Sequence, residues 1–577
     1  MRWRAALGPC LLFLGGCIEP SCDLDWGCKN DYSCAYNEVC GDYGECMAAV
    51  HCESSDCPAG MICRTRSAVP AGNPFTSDKP GKKVCVCNDG YGDELDPGLC
   101  DGSSEGGYGT GATGGGGSGG TGGGPGGALS CAYSPPEGDV LEVVQTGDAE
   151  SQGSLFITQA LSVDGPGTLE ALTFKGTIDL GGETFTSQGD SDVAVVLREH
   201  SGAVYYSELI GNAGPNVVTA AASDAYGYTG GVAVSFTGAL TFFDGEAVDA
   251  GAGTGAVVFV GGDIGPNRHV FFSNETLSIT GISGGFTEGS LVVAGTFTGT
   301  LTIGSKQIDS TGGADGFIAY LHADPAKEAV WIKQIGGAGD QTVSGVADGG
   351  QRLFAIGDYQ GETDLAGEKI TSDGRDSFVL ALDSTGQFMG SRVIKGPDRQ
   401  VLSAAAVDVE TGHLVAAGVR ASESMSQGSI DFGDGVTMEG GPGLSDAFVV
   451  EYAPNLDLGW ISLLSGAAPA GEVVPRDMTI DCAGQITVVG QTTGAPILAD
   501  PASGYGKYDA FVVKLDHGAV LWSHVFGGPE DDLATSVVSV EWQSVIVGGS
   551  FSGAAAFGPF TLQSAGAEDA FRAYLTP

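Results

Sequence analysis

Positive charge is scarce in this sequence. Lys and Arg together number 25 in 577 residues, against 71 Asp and Glu, for a formal net charge of -46. A surface that acidic repels phosphate backbones, which argues against nucleic acid as a partner. It suits cations or basic partners, and it also serves plain solubility. Catalytic signatures are missing as well. There is no HExxH, no GK[ST] phosphate loop and no GxSxG nucleophile elbow at a strand-to-helix turn. None of the seven histidines stands in H-x-H spacing. On these absences the chain reads as no enzyme. After the N-terminus no apolar run is long enough for a transmembrane helix, and no segment holds a sustained helical period. Beyond residue 100 only two cysteines occur, Cys131 and Cys482.

Glycine is abundant, at 98 residues, so tight turns and close backbone approaches must be frequent. With 42% hydrophobic residues there is also material for a sizeable core. Four zones follow in order: 1–16, 17–101, 102–130 and 131–577.

The first zone reads as a signal peptide. Arg2 and Arg4 precede a short apolar stretch ending in Leu14-Gly15-Gly16-Cys17. This stretch resembles a bacterial lipobox. The resemblance implies cleavage before Cys17 and lipid on that residue, and several acyl chains give stable anchoring. Ile18 in place of Asp then implies the outer membrane, surface-exposed or periplasm-facing.

The second zone holds Cys17, Cys22, Cys28, Cys34, Cys40, Cys46, Cys52, Cys57, Cys63, Cys85, Cys87 and Cys100. A segment so poor in apolar residues needs covalent staples, and an exported location permits disulfides. It is similar to the Cys-rich, EGF-like modules of secreted proteins. Metal binding through Cys85-Val86-Cys87 is the rival reading, although that spacing is not the usual zinc knuckle. The third zone, with GTGATGGGGSGGTGGGPGG, is a flexible tether with a root-mean-square reach of roughly 30 Å.

The fourth zone repeats. Asp-x-Phe or a close variant begins at Asp192, Asp315, Asp376, Asp446, Asp509 and Asp569, with a degenerate copy at Gly255. The spacings are near 62 residues, roughly. Most copies are preceded by aromatic-x-Gly, as at Phe174, Phe236, Phe297, Tyr359 and Phe551. Each unit reads as four strands, plus a Gly-containing stretch between the second and third that would form an extra hairpin. First strands are rich in small residues, as in VVTAAAS and LSAAAV, which suits crowding around an axis. Trp331, Trp460 and Trp522, with Tyr206 and Phe272 at similar positions, suit a broad outer rim. The expected fold is all-β: a seven-bladed β-propeller of four-stranded blades. The units resemble the bacterial seven-bladed β-propeller (SBBP) repeat family, departing at Gly255 and at an insertion around RASESMSQG. The last unit, GAEDAFRAYLTP, stops one strand short. Residues 138–147 align with 518–527 and are expected to supply that strand, closing the ring.

Candidate site residues are few. Asp164, Asp224, Asp348, Asp408 and Asp481 end successive first strands, usually with Gly close behind. Such Asp residues cap tight turns; alternatively they form a ring of carboxylates holding Ca²⁺ or a basic ligand. Cys131 and Cys482 are a candidate disulfide, while a thiol nucleophile at Cys482 is the other reading. No cofactor other than Ca²⁺ is suggested. The functional expectation is a membrane-anchored, monomeric surface protein that binds a protein or glycan. A hydrolase using the propeller channel, or a purely structural envelope lipoprotein, is the alternative.

Overall fold

The structure is a computed structural model that describes residues 38–40, 46–48, 61–65, 83–87 and 138–577. Within the last range it omits 163–164, 181–183, 200–201, 224–229, 243–244, 261–267, 288–289, 323–328, 366, 422–427, 440–444, 465–471, 494–505 and 541–543. The chain divides into two compact units, Met1–Leu129 and Ser130–Pro577. In the first, two short antiparallel pairs set Cys40 opposite Cys46 and Cys63 opposite Cys85.

The second unit is a seven-bladed β-propeller. Each blade is an antiparallel sheet with four main strands, running in chain order from axis to rim over 152–210, 216–273, 277–335, 341–394, 399–463 and 473–526. Blade 7 takes its first three strands from Asp532–Val540, Ser544–Phe551 and Asp569–Leu575. Its outermost strand is Val140–Thr146, which pairs with Asp569–Leu575 from Leu575↔Val140 to Ala570↔Thr146. The missing strand is thus supplied by the start of the domain. Gly138 N donates to Pro577 O (3.0 Å), and Gln145 Nε2 donates to Asp569 Oδ2 (2.6 Å).

The core is not one centre. Seven apolar clusters form, one at each seam between neighbouring blades. At the closing seam Leu155 and Ile157 of blade 1 meet Val538, Ile546 and Ala570 of blade 7. Buried Glu170 of blade 1 adds charge pairing there, with Arg198 Nε at 2.8 Å and Arg572 Nη1 of blade 7 at 3.2 Å.

The repeated motifs now have physical causes. The six motif Asp residues are buried, and several accept hydrogen bonds from the turn before them: Gln188 N to Asp192 (2.6 Å), Thr311 N to Asp315 (2.9 Å), Ala565 N to Asp569 (2.8 Å). The carboxyl fills the space that a side chain would need at Gly147, Gly211, Gly336 and Gly527, where the outer strands end. Blade 2 reverses the pair. Gly255 stands where the Asp would be, the Phe236 ring fills the space above it, and Phe272 occupies the position of those glycines. Phe272 therefore does not match the Trp positions, a correction to the sequence alignment. The Trp rings themselves wedge between blades: Trp331, Trp460 and Trp522 lie against Gly386, Gly518 and Gly138, each at positive φ.

The extra hairpin between second and third strands is present, for example at Ala554–Phe557 with Phe560–Gln563. In blades 2 and 4 it is a continuation of the two strands. These hairpins reach the outer strand of the preceding blade. Blade 3 does so through Phe271↔Ile303, and others through single bridges such as Gly211↔Thr241 and Gly527↔Ala556.

Candidate functional site

The first strands of blades 4, 5 and 6 end in turns on one face of the propeller. Asp348, Asp408 and Asp481 sit there and spend their carboxylates on their own turns. Gly350 N donates to Asp348 (2.8 Å), Glu410 N and Thr411 Oγ1 to Asp408 (2.9 and 2.7 Å), and Ala483 N and Gln485 N to Asp481 (2.8 and 3.0 Å). Asp481 also forms a buried ion pair with Lys514 Nζ at 2.9 Å. Asp164 and Asp224 lie outside the described residues, as do Cys17 and Cys131. Cys482, beside Asp481, is disulfide-bonded, so it offers no free thiol. Among the described residues no group of three or more His, Cys, Asp or Glu side chains is placed to hold a metal ion.

Among the described residues, recesses lie between neighbouring blades. One, of about 340 Å³, separates blades 5 and 6 and is lined by Asp408, Glu410, Glu451, Cys482 and His517. The His517 imidazole is held above its usual pKa, first by its hydrogen bond to Asp516 (2.6 Å). Another, of about 570 Å³, lies between blades 1 and 2 and is lined by Phe185, Tyr206, Glu208, Asn212 and Phe242 among others.

The innermost strands carry a feature that composition alone does not reveal. Each bulges near its start, and in blades 2 to 7 one residue there has no partner across the ladder. That residue is Thr219, Thr280, Ser344, Ser403, Arg476 and Thr535 in turn. Four of the hydroxyls donate to a carbonyl of the next blade: Thr280 to Val343 O, Ser344 to Leu402 O (2.6 Å), Ser403 to Pro475 O (2.8 Å) and Thr535 to Leu155 O (2.9 Å). This belt of hydroxyls stitches the blades near the axis. Blade 6 breaks it with Arg476. There the stitch passes to Asp477, whose Oδ2 accepts from Val537 N of blade 7 at 2.9 Å. Burial raises the Asp477 pKa to about 6, against the lowering effect of its two backbone donors. Arg476 instead stays exposed and touches Gln491 Oε1 (3.2 Å). Nearby Tyr508 donates its hydroxyl to Glu472 Oε2 at 3.0 Å. Arg476, Glu472, Gln491 and Tyr508 were not singled out from sequence. Aligning TAAAS, TGISG, SGVAD, SAAAV, RDMTI and TSVVS would have exposed Arg476 as the departure.

No family model matches the sequence. No curated protein matches it either. Among solved structures the chain is similar to a protein of unknown function from Dyadobacter fermentans, with 12% identity, 76% of this chain and 98% of that chain covered, and a TM-score of 0.35. It is also similar to a subtype N10 neuraminidase-like protein of A/little yellow-shouldered bat/Guatemala/060/2010, with 8% identity, 76% and 99% coverage, and a TM-score of 0.31. A third is a puromycin hydrolase, with 12% identity, 69% and 58% coverage, and a TM-score of 0.25. These likenesses concern the fold alone. They still correct one expectation. Missing sequence motifs suggested a chain without enzymatic activity, yet neuraminidase-like and hydrolase structures stand among its fold matches, so that exclusion is withdrawn.

Proposed function

We propose that this chain is a cell-surface binding protein, held at the outer membrane by lipid on Cys17 and presenting its propeller to a protein or glycan ligand. One observation carries the reading: the chain enters the propeller through Val140–Thr146, the outermost strand of blade 7. The described part of the propeller thus begins at its rim, where Gly138 is bonded to Pro577. A first strand at the rim lies clear of the loops on both faces of the propeller, which suits presentation of those loops. Residues 17–101 serve as a disulfide-stapled, EGF-like stalk, a reading that the facing registers of Cys63 and Cys85 support. A Cys131–Cys482 disulfide would pin the end of the tether to the turn of blade 6. The repeats are SBBP-like, and the protein acts as a monomer.

The test is a screen of the full chain against glycan and protein panels, with and without Ca²⁺. Retention of a defined ligand class is expected. Turnover of a polysaccharide with no retained ligand would replace the binding reading with a hydrolase using the channel. Binding that requires Ca²⁺ would reinstate the carboxylate ring at Asp164, Asp224, Asp348, Asp408 and Asp481.

A further inference from the structure

We propose that Arg476 anchors a binding site for a hydroxylated monocarboxylate, a uronate-type ligand, on the innermost strand of blade 6. At this position the other bulged blades carry Ser or Thr, and four of those hydroxyls stitch one blade to the next. Blade 6 hands that task to Asp477. Arg476 is thereby released from the structural role that its position has elsewhere.

Its surroundings are incomplete for a guanidinium. Several other arginines of the propeller meet carboxylates: Arg198 meets Glu170, Arg375 meets Asp358, and Arg420 meets both Asp398 and Asp446, while Arg352 donates to the Pro454 carbonyl. Among the described residues Arg476 makes no ion pair, and its side chain has one hydrogen-bond partner, the amide oxygen of Gln491. Five donors on a planar fork are thus left with one acceptor. The residue is solvent-accessible, and partial burial lowers its pKa. A partly desolvated cation on a chain of net charge -46 favours one anionic partner at short range.

The neighbours narrow the ligand. Glu472, held by the Tyr508 hydroxyl, opposes a dianion such as phosphate. Glu472, Tyr508 and Gln491 supply acceptors and donors for hydroxyls flanking a carboxylate.

The test is calorimetric titration of the full chain with glucuronate, glucose and inorganic phosphate. Glucuronate is expected to bind, and glucose and phosphate to bind far more weakly. Arg476→Ser restores the hydroxyl that neighbouring blades use, so it should melt like the parent. It should weaken glucuronate roughly tenfold or more, the loss of one charge-assisted contact. Arg476→Lys should fall between, because it keeps the charge and loses the fork. Equal binding by parent and Arg476→Ser, or glucose binding as tightly as glucuronate, would overturn the site. So would a lower melting temperature in Arg476→Ser with unchanged affinity, which would make Arg476 a structural residue. The inference rests on the binding reading above. A parent chain that retains a protein or neutral glycan but ignores glucuronate sinks this site and leaves that reading standing.

Discussion

Asp532 begins the first strand of blade 7, where four other blades place an amide: Gln152, Asn216, Gln341 and Gln400. It is buried, and its carboxyl crowds the same glycine, Gly527, as that of Asp509. Burial raises its pKa to about 7; Gly528 and Ser552 donate against this, while Asp509 and Asp531 add to it. The folded chain therefore keeps a proton that the unfolded chain has already lost above the ordinary value of 3.8. This contribution to stability is complete below that value and disappears as pH rises through about 7. Melting temperature should be higher at pH 5 than at pH 8, and Asp532→Asn should reduce the difference, leaving the share of Asp477, whose pKa burial also raises. An unchanged pH profile in that variant would rule Asp532 out as the source. Gly211→Ala should destabilise by about 1–3 kcal/mol, read by chemical denaturation, because its Cβ would overlap the Asp192 carboxyl. The motif Asp residues were legible in sequence because they recur at a fixed offset. Their glycine partners were not, because that contact joins strands and leaves no local pattern. Arg476 was hidden for a related reason: a bulge is a property of register, and register appears only when two strands are paired.

Among the elements, the strand Val140–Thr146 carries the most consequence. It was readable because Gly138 to Gly147 repeats the pattern of Gly518 to Gly527, and the pairing places Glu142 opposite Tyr574 as Trp522 lies opposite Lys514. Removing residues 138–147 should lower the melting temperature of the whole propeller and expose Asp569–Leu575 as an open edge that promotes association. Circular dichroism and sedimentation would check both effects, and a loss confined to a minor early transition would count against closure. The hairpin insertions were visible as Gly-containing stretches. Their docking on the preceding blade was not, since it depends on how neighbouring sheets are stacked.

At the scale of the molecule, repeat count, strand content and ring closure all followed from periodicity, because every seam reuses one packing solution. Ligand identity did not, because binding rests on the residues that depart from the repeat. The anchor is tested apart from the fold: Cys17→Ala should move the protein from the membrane fraction to the soluble one with its melting temperature unchanged. Continued membrane association would defeat the lipid reading. The entry of the chain at the rim has a mechanical side. Any pull transmitted from the N-terminal side reaches Gly138 first, where it is bonded to Pro577. A pull directed across the strand would then load one ladder rung at a time, as in peeling. Under such a load blade 7 would yield at the pairing of Val140–Thr146 with Asp569–Leu575, inside the blade and not at a seam. The proposed Cys131–Cys482 bond would divert that load into blade 6, beneath which Asp481 and Lys514 are already paired.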